Sequence, residues 1–421
     1  MDKSAYANYI AILRSELIPA MGCTEPIAVA LAGAKASQVL GGRPDFMDIY
    51  LSGNIIKNVM GVVVPNSGGQ TGIAAAAVLG AVGGNAEMGL EVIAGAGEED
   101  IAETRRLIAA GICACHLVEG EDNLYIRVEA ARGADRALVE IKTRHNHFSR
   151  IEKNGSVLFE QGDVPSEAAQ GDKSALNVRE IIEFADELVL DDVRELLDRQ
   201  IEYNRAICEE GLRRPWGAQV GRTLLSEGDQ LRIRAAAKAA AGSDARMGGS
   251  SMPVVINSGS GNQGITVTMP LYEHAMANGI GEERLYRALA LANLISIHEK
   301  RFIGNLSAYC GAVSAATASV AGIAYADGAD YETIGNTIIN SIGTIGGMVC
   351  DGAKASCASK IASAVQTAML AYEMAKGGNV LKNGEGLVEG GVEGTIRNIG
   401  RMGREGMRET DVEILNIMLG K

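Results

Sequence analysis

The 421-residue sequence is poor in aromatic side chains, which make up 4% of it, and it has no basic cluster. Lys and Arg number 39 against 52 Asp and Glu, a formal net charge of −13. Binding to a phosphate backbone calls for the opposite balance, so nucleic acid is not an expected partner. Seven cysteines are too few for a disulfide scaffold in so long a chain. The opening MDKSAYANYIAILRSELIPAMGC lacks the continuous apolar core of a signal peptide, which points to a reducing, cytoplasmic setting. The most membrane-like windows, Ala308 to Tyr325 and Gly72 to Gly84, are short and built from Ala, Gly, Ser and Thr, so buried helices are expected there and no membrane partner.

What the chain does have is glycine, 53 residues of it, which lets elements approach closely and exposes backbone amides to a small ligand. Its length admits two or three domains. Ser4 to Leu40 carries apolar residues at helical spacing, broken at Pro19 and again at Gly22-Cys23-Thr24-Glu25-Pro26. A strand opens at Asp48, the turn NSGGQTG occupies 66–72, and AAAAVLGAV is helical. Between Gly89 and Gly162, LEVIAG reads as a strand, EEDIAETRRLIAAG as a helix, and CACHLVEG, LYIRVEAA, ALVEIKT and SVLFEQG as strands. From Pro165 onward the pattern is helical. The expected fold class is α+β: a mainly α-helical catalytic domain formed by 1–88 and 165–421, with a smaller α+β insert at 89–164 that folds as a separate unit.

One motif recurs. VVVPNSGGQTG at 62–72 and PVVINSGSGNQG at 253–264 share an apolar lead, Asn-Ser-Gly and a Gln before Gly. Such strings usually make simple turns, but their repetition suggests paired ligand-facing loops. Cys113 and Cys115, two apart in a strand with His116 beside them, read as buried small apolar residues rather than a metal site, and Cys208 on a charged helix reads the same way. The other four cysteines, Cys23 in GCTEP, Cys310 in SAYCGAVSAA, and Cys350 and Cys357 in GGMVCDGAKASC, each keep Gly, Ala or Ser close by. Small neighbours leave room for a bulky inorganic group and free amides for its sulfurs. The spacings of 40 and 7 residues from Cys310 through Cys350 to Cys357 fit no compact ferredoxin or zinc pattern.

GCTEP, LSGNIIKNVMG at 51–61, IGNLSAYCG at 303–311 and GGMVCDGAKASCASK at 346–360 resemble, in order, the signature blocks of the iron-sulfur L-cysteine desulfidase family. The last block is also similar to the cluster region of the iron-sulfur L-serine dehydratases. The resemblance implies a 4Fe-4S cluster held by Cys310, Cys350 and Cys357 with one iron open to substrate, and β-elimination of L-cysteine to hydrogen sulfide, pyruvate and ammonia. The open iron would act as a Lewis acid on the leaving sulfur. Cys23 is expected to act on substrate as the base for the α-proton, its thiol lowered at a helix start capped by Thr24. The alternative makes Cys23 the third ligand and Cys357 a bystander. Some serine dehydratases cap the open iron with a C-terminal cysteine; DVEILNIMLGK has none, so that is not expected. For the substrate's carboxylate and ammonium, Asn66, Ser67, Gln70, Ser258, Asn262 and Gln263 are nominated, with Lys57 and Lys354 as nearby catalytic cations. A homo-oligomer is compatible with all of this.

Three rival readings remain. The same cluster could serve an L-serine dehydratase. A pyridoxal-phosphate lyase would use Lys354 or Lys360 for the Schiff base and NSGGQTG for the phosphate. A non-enzymatic cysteine or redox sensor would need an output element, and no basic helix pair is present to supply one.

Overall fold

The computed structural model describes residues 1–161, 170–304 and 306–421. Its helices are α1 (Lys3–Glu16), α2 (Thr24–Leu40), α3 (Gly53–Val59), α4 (Gly72–Gly83), α5 (Glu98–Ala109), α6 (Val178–Glu187), α7 (Arg194–Arg213), α8 (Val220–Glu227), α9 (Leu231–Met247), α10 (Gly261–Asn278), α11 (Glu282–Ile303), α12 (Gly311–Ala326), α13 (Tyr331–Ile345), α14 (Ser356–Lys376), α15 (Gly391–Arg401) and α16 (Arg408–Met418). The strands are β1 (Pro19–Met21), β2 (Phe46–Ser52), β3 (Cys113–Val118), β4 (Tyr125–Arg132), β5 (Asp135–Lys142), β6 (Phe148–Lys153), β7 (Ser156–Glu160) and β8 (Pro253–Val255). The fold is α+β and mainly helical, as expected.

Period-2 alternation builds one six-stranded sheet in the order β3-β2-β4-β5-β6-β7, with β2 parallel to β3 and antiparallel to β4. Met47, Ile49, Leu51, Ile126, Val128, Val139 and Ile141 all fall on its buried face, which α2 covers. This corrects the expected insert. A sheet with one apolar face needs a cover, and both the cover and the second strand come from residues before 89, so the sheet region is not a separate unit. Two smaller expectations also change. LEVIAG is no strand: a 3-10 turn runs Ala86–Glu91, Gly89 takes φ 53, and Leu90, Val92 and Ile93 are buried as turn residues. Phe148–Lys153, which none of the expected strands covers, is the strand β6. Short apolar runs carry too few residues to separate these cases.

The Ala- and Gly-rich segments pack with their backbones almost touching. A Cβ at Gly33 would lie 2.3 Å from the Ala77 carbonyl oxygen, and one at Gly80 would lie 2.0 Å from that of Ala30, so α2 and α4 cross at a distance only glycine permits. Gly211 of α7 meets Ala241 of α9 in the same way. The window at 308–325 becomes α12, buried along nearly its whole length among other helices. Among the described residues no helix is long and apolar enough to cross a membrane. The two-stranded ribbon β1–β8 ties the chain entering α2 to the chain entering α10, and that pairing starts the site.

Candidate active site

Four helices begin at one cavity. Cys23 is the N-cap of α2, Ser260 that of α10 and Cys310 that of α12, while Cys357 is the second residue of α14. None of these N-cap side chains caps its own helix. First-turn amides and the positive ends of the helix dipoles therefore converge on the space between them, which favours anions. Cys23, Cys310, Cys350 and Cys357 all line this cavity, whereas Cys113, Cys115 and Cys208 do not.

The 40-residue gap between Cys310 and Cys350 is closed by a short antiparallel bridge between Tyr309 and Val349. The Cys310 amide donates to the Met348 carbonyl at 2.9 Å and the Cys350 amide to that of Ala308 at 2.6 Å. Cys357 follows one tight turn later, its amide donating to Lys354 O at 2.9 Å. Glycine keeps the wall open here, since a Cβ at Gly311 would stand 2.6 Å from the Gln263 amide. Burial pushes the Cys310 thiol up to about 12, with Cys350 adding to it, and the Cys357 thiol up to about 11. The thiolate forms of these two are thus disfavoured until a cation joins them. Among the described residues no three His, Cys, Asp or Glu surround a point that one metal ion could occupy.

The opposite wall is polar. Glu25 accepts from Asn58 Nδ2 at 3.0 Å and from Thr24 Oγ1 at 3.0 Å, and Thr24 also contacts the Gly259 carbonyl at 3.0 Å. His145 Nε2 stands 3.9 Å from Glu25 Oε1, an ion-pair distance rather than a hydrogen bond. Burial would raise the Glu25 carboxyl, but His145 and Arg246 outweigh it and hold it down at about 2. Arg246, 3% exposed, donates through Nε to the Gly22 carbonyl at 2.8 Å. Lys300 donates to Gly304 O at 2.8 Å, and burial lowers its ammonium to about 8 against the opposing pull of Cys350 and Cys310. Asn262 Oδ1, Gln263 Oε1, His145 Nε2 and Tyr309 OH are buried along this lining without a hydrogen-bond partner. Folded proteins leave few such atoms unpaired, and four around one cavity mark a place built for a ligand.

The nominated residues divide. Ser258, Asn262 and Gln263 line the cavity. Asn66, Ser67 and Gln70 do not: Asn66 Nδ2 donates to Ile93 O (3.1 Å) and Ala94 O (3.2 Å), Ser67 Oγ to Val64 O (2.6 Å), and Gln70 Nε2 to Ser67 O (2.7 Å), so that turn satisfies itself. Lys57 lies outside the cavity, its ammonium paired with Asp411. Lys354 is also outside it, 3.6 Å from Asp351, which pairs with Lys360 as well. Thr24 is the first helical residue rather than the cap. The lowered thiol expected for Cys23 is not found, because burial pushes it up to about 12 against a smaller opposing pull from Arg246.

Glu25, Asn58, His145, Arg246, Lys300 and Tyr309 were not anticipated. Glu25 stood inside GCTEP, whereas Arg246 and Lys300 lie on helices that also carry partly exposed charges such as Arg234, Lys238, Arg287 and Arg301, so the sequence did not single them out. His145 comes from the loop between β5 and β6 and offered no signal.

A profile of the serine dehydratase alpha chain matches residues 87–416. Relatives align across the whole chain: a UPF0597 protein of Lachnoclostridium phytofermentans is 48% identical over 98% of this chain and 100% of its own. Those of Treponema denticola, 43% identical over 100% and 99%, and Finegoldia magna, 45% identical over 98% and 100%, align likewise. Cys23 and Glu25 precede the profile but fall within these full-length alignments. With most of its length matched, including the three cysteines of the 310–357 region, the chain belongs to the serine dehydratase alpha chain family, a family of iron-sulfur lyases.

Proposed function

We propose that the protein is an L-cysteine desulfidase, releasing hydrogen sulfide, pyruvate and ammonia from L-cysteine at a 4Fe-4S cluster bound by Cys310, Cys350 and Cys357. The carrying observation is that three thiols from two bridged loops, with Cys23 as a fourth, face one cavity at four helix starts. The donor set fits the group: burial disfavours ionisation of the Cys310 and Cys357 thiols on their own, and a cluster takes its thiolates on separate irons, more widely spaced than ligands of a lone ion. When bound, the cluster supplies a Lewis-acidic open iron for the departing sulfur.

The chain's own residues account for the rest. The Arg246 guanidinium, tethered through Nε, presents its remaining donors for the substrate carboxylate, and the unpaired oxygens of Asn262 and Gln263 accept from the ammonium. Once it has given up its Nε2 proton, His145 can accept the α-proton at Nε2, which restores the imidazolium that pairs with Glu25. Burial raises the Cys23 thiol against the pull of Arg246, which favours substrate contact for Cys23 and His145 as the base. Loss of the α-proton and of sulfide leaves an aminoacrylate, which tautomerises to an imine and takes up water to give pyruvate and ammonia.

The matched profile favours one second reading, L-serine dehydration at the same site. A pyridoxal enzyme has less support, since the NSGGQTG turn is closed on itself and Lys360 is paired with Asp351. Anaerobic reconstitution followed by assay of pyruvate from cysteine and from serine tests the proposal. Brown protein with iron and acid-labile sulfide and faster turnover of cysteine is expected; faster turnover of serine would transfer the assignment to the dehydratase.

A further inference from the structure

Lys57 is a buried charge that the mechanism does not use. It sits in the last turn of α3, 2% exposed, with its ammonium paired to the Asp411 carboxylate in the first turn of α16 and 3.4 Å from the Cys350 carbonyl oxygen. The cysteine loop is pressed onto the same spot. Gly352 takes φ +96, and a Cβ there would lie 2.3 Å from the Lys57 carbonyl oxygen. α16 also packs against the start of α3, where a Cβ at Gly53 would stand 2.7 Å from Leu415 Cδ2.

The same C-terminal segment grips the other cysteine loop. Ser307 Oγ donates to Gly403 O at 2.7 Å, and the missing side chain of Gly403 makes room for Tyr309, whose atoms would be 3.1 Å from a Cβ there. Both loops joined by the Tyr309–Val349 bridge are therefore held from behind by residues 402–418, which contain no cysteine.

We propose that residues 402–418 form a latch that presets the two cysteine loops for their cluster, with Lys57 and Asp411 as its positioning pair. The proposal rests on the cluster reading above. An ammonium buried beside α16 is tolerable only with its carboxylate partner, so the pair ties α16 to α3, and the remaining contact from Lys57 ties both to the backbone of Cys350. Loosening that tie lets the thiols spread and the iron escape.

The test uses the full chain, reconstituted anaerobically, as wild type, as Asp411→Asn, and as the double variant Lys57→Met with Asp411→Leu, which removes both charges while keeping volume. Iron release to a chelator, the electron paramagnetic resonance signal of the reduced cluster, and the Tm of the iron-free protein are measured. Both variants should release iron about 10- to 100-fold faster, as is typical when an outer partner of a metal site is lost, and should show an altered resonance signal. The double variant should do so at unchanged iron-free Tm, which a merely structural role would not produce, and it decides the matter if Asp411→Asn fails to fold. Wild-type release rates in the double variant would overturn the latch while leaving the cluster in place. A wild-type protein that takes up no cluster would instead overturn the reading on which the latch stands.

Discussion

Two turns with nearly the same sequence do opposite things in this molecule. Asn66-Ser67-Gly68 and Asn257-Ser258-Gly259 each follow an apolar lead, each place a non-glycine residue in the left-handed region (Asn66 at φ 51, Ser258 at φ 49), and each precede a helix. In the first, every nominated side chain donates to a nearby carbonyl. In the second, Asn257 turns inward to Asn293 at 2.9 Å and accepts from Ser258 and Ser296, which anchors the turn and leaves Asn262 and Gln263 with unpaired oxygens over the cavity. A turn motif supplies polar atoms; its neighbours decide whether those atoms are consumed or offered.

The strongest way to break the comparison is to remove what the second turn faces. Cys310→Ala and Cys350→Ala should each leave a folded protein that takes up no cluster, measured as iron and sulfide after reconstitution; full iron in both would mean the cavity holds something else. Next comes the pair of glutamines. Gln263→Leu should lower kcat/KM for cysteine about 10- to 100-fold, since a hydrogen bond to a charged group is worth roughly 1.5–3 kcal/mol, while Gln70→Leu leaves it unchanged. Equal losses from both would erase the distinction.

Acid sharpens the contrast on the cavity side. Glu25, linked through Thr24 to Gly259 of the second turn, has its carboxyl held at about 2 in the fold, against about 4.3 unfolded. A lowered carboxyl contributes stability that is whole above the unfolded value and is lost as pH falls toward the folded one. Melting temperatures of wild type should therefore fall more steeply than those of Glu25→Gln from about pH 5 to pH 3; parallel curves would remove Glu25 from the ion pair. On the other side, Asn66→Ala should cost about 1–3 kcal/mol of stability, from two lost hydrogen bonds and a strained left-handed alanine, with kcat/KM intact. The smallest effect is expected from Cys113 and Cys115, which do not line the cavity: changing both to Ser should shift stability by about 0.5 kcal/mol or less and leave iron content at wild-type level. Loss of iron there would place β3 at the site.

Much of the site was legible in residue character. The four cysteines with small neighbours are the four that meet, and the small-residue windows are the buried helices. Arg246 and Lys300 were not legible, because α9 and α11 carry several other charged residues that stay partly exposed. The pairing of Glu25 with His145 was not either, because the two stand 120 residues apart and His145 is placed by a loop off a sheet whose second strand comes from before residue 53. LEVIAG failed for a local reason, since the five residues between Gly89 and Gly95 satisfy a turn as readily as a strand.

Sequence alone therefore singled out the four thiols that line one cavity and most of the long helical segments, since these depend on near neighbours and on side-chain size. Only the tertiary structure decided which Asn-Ser-Gly turn faces the cavity, that the Lys57 ammonium meets Asp411 and the Cys350 carbonyl outside the cavity, and that Cys23 is buried. Burial, pairing and pKa depend on atoms brought from distant parts of the chain, and no local pattern carries that information.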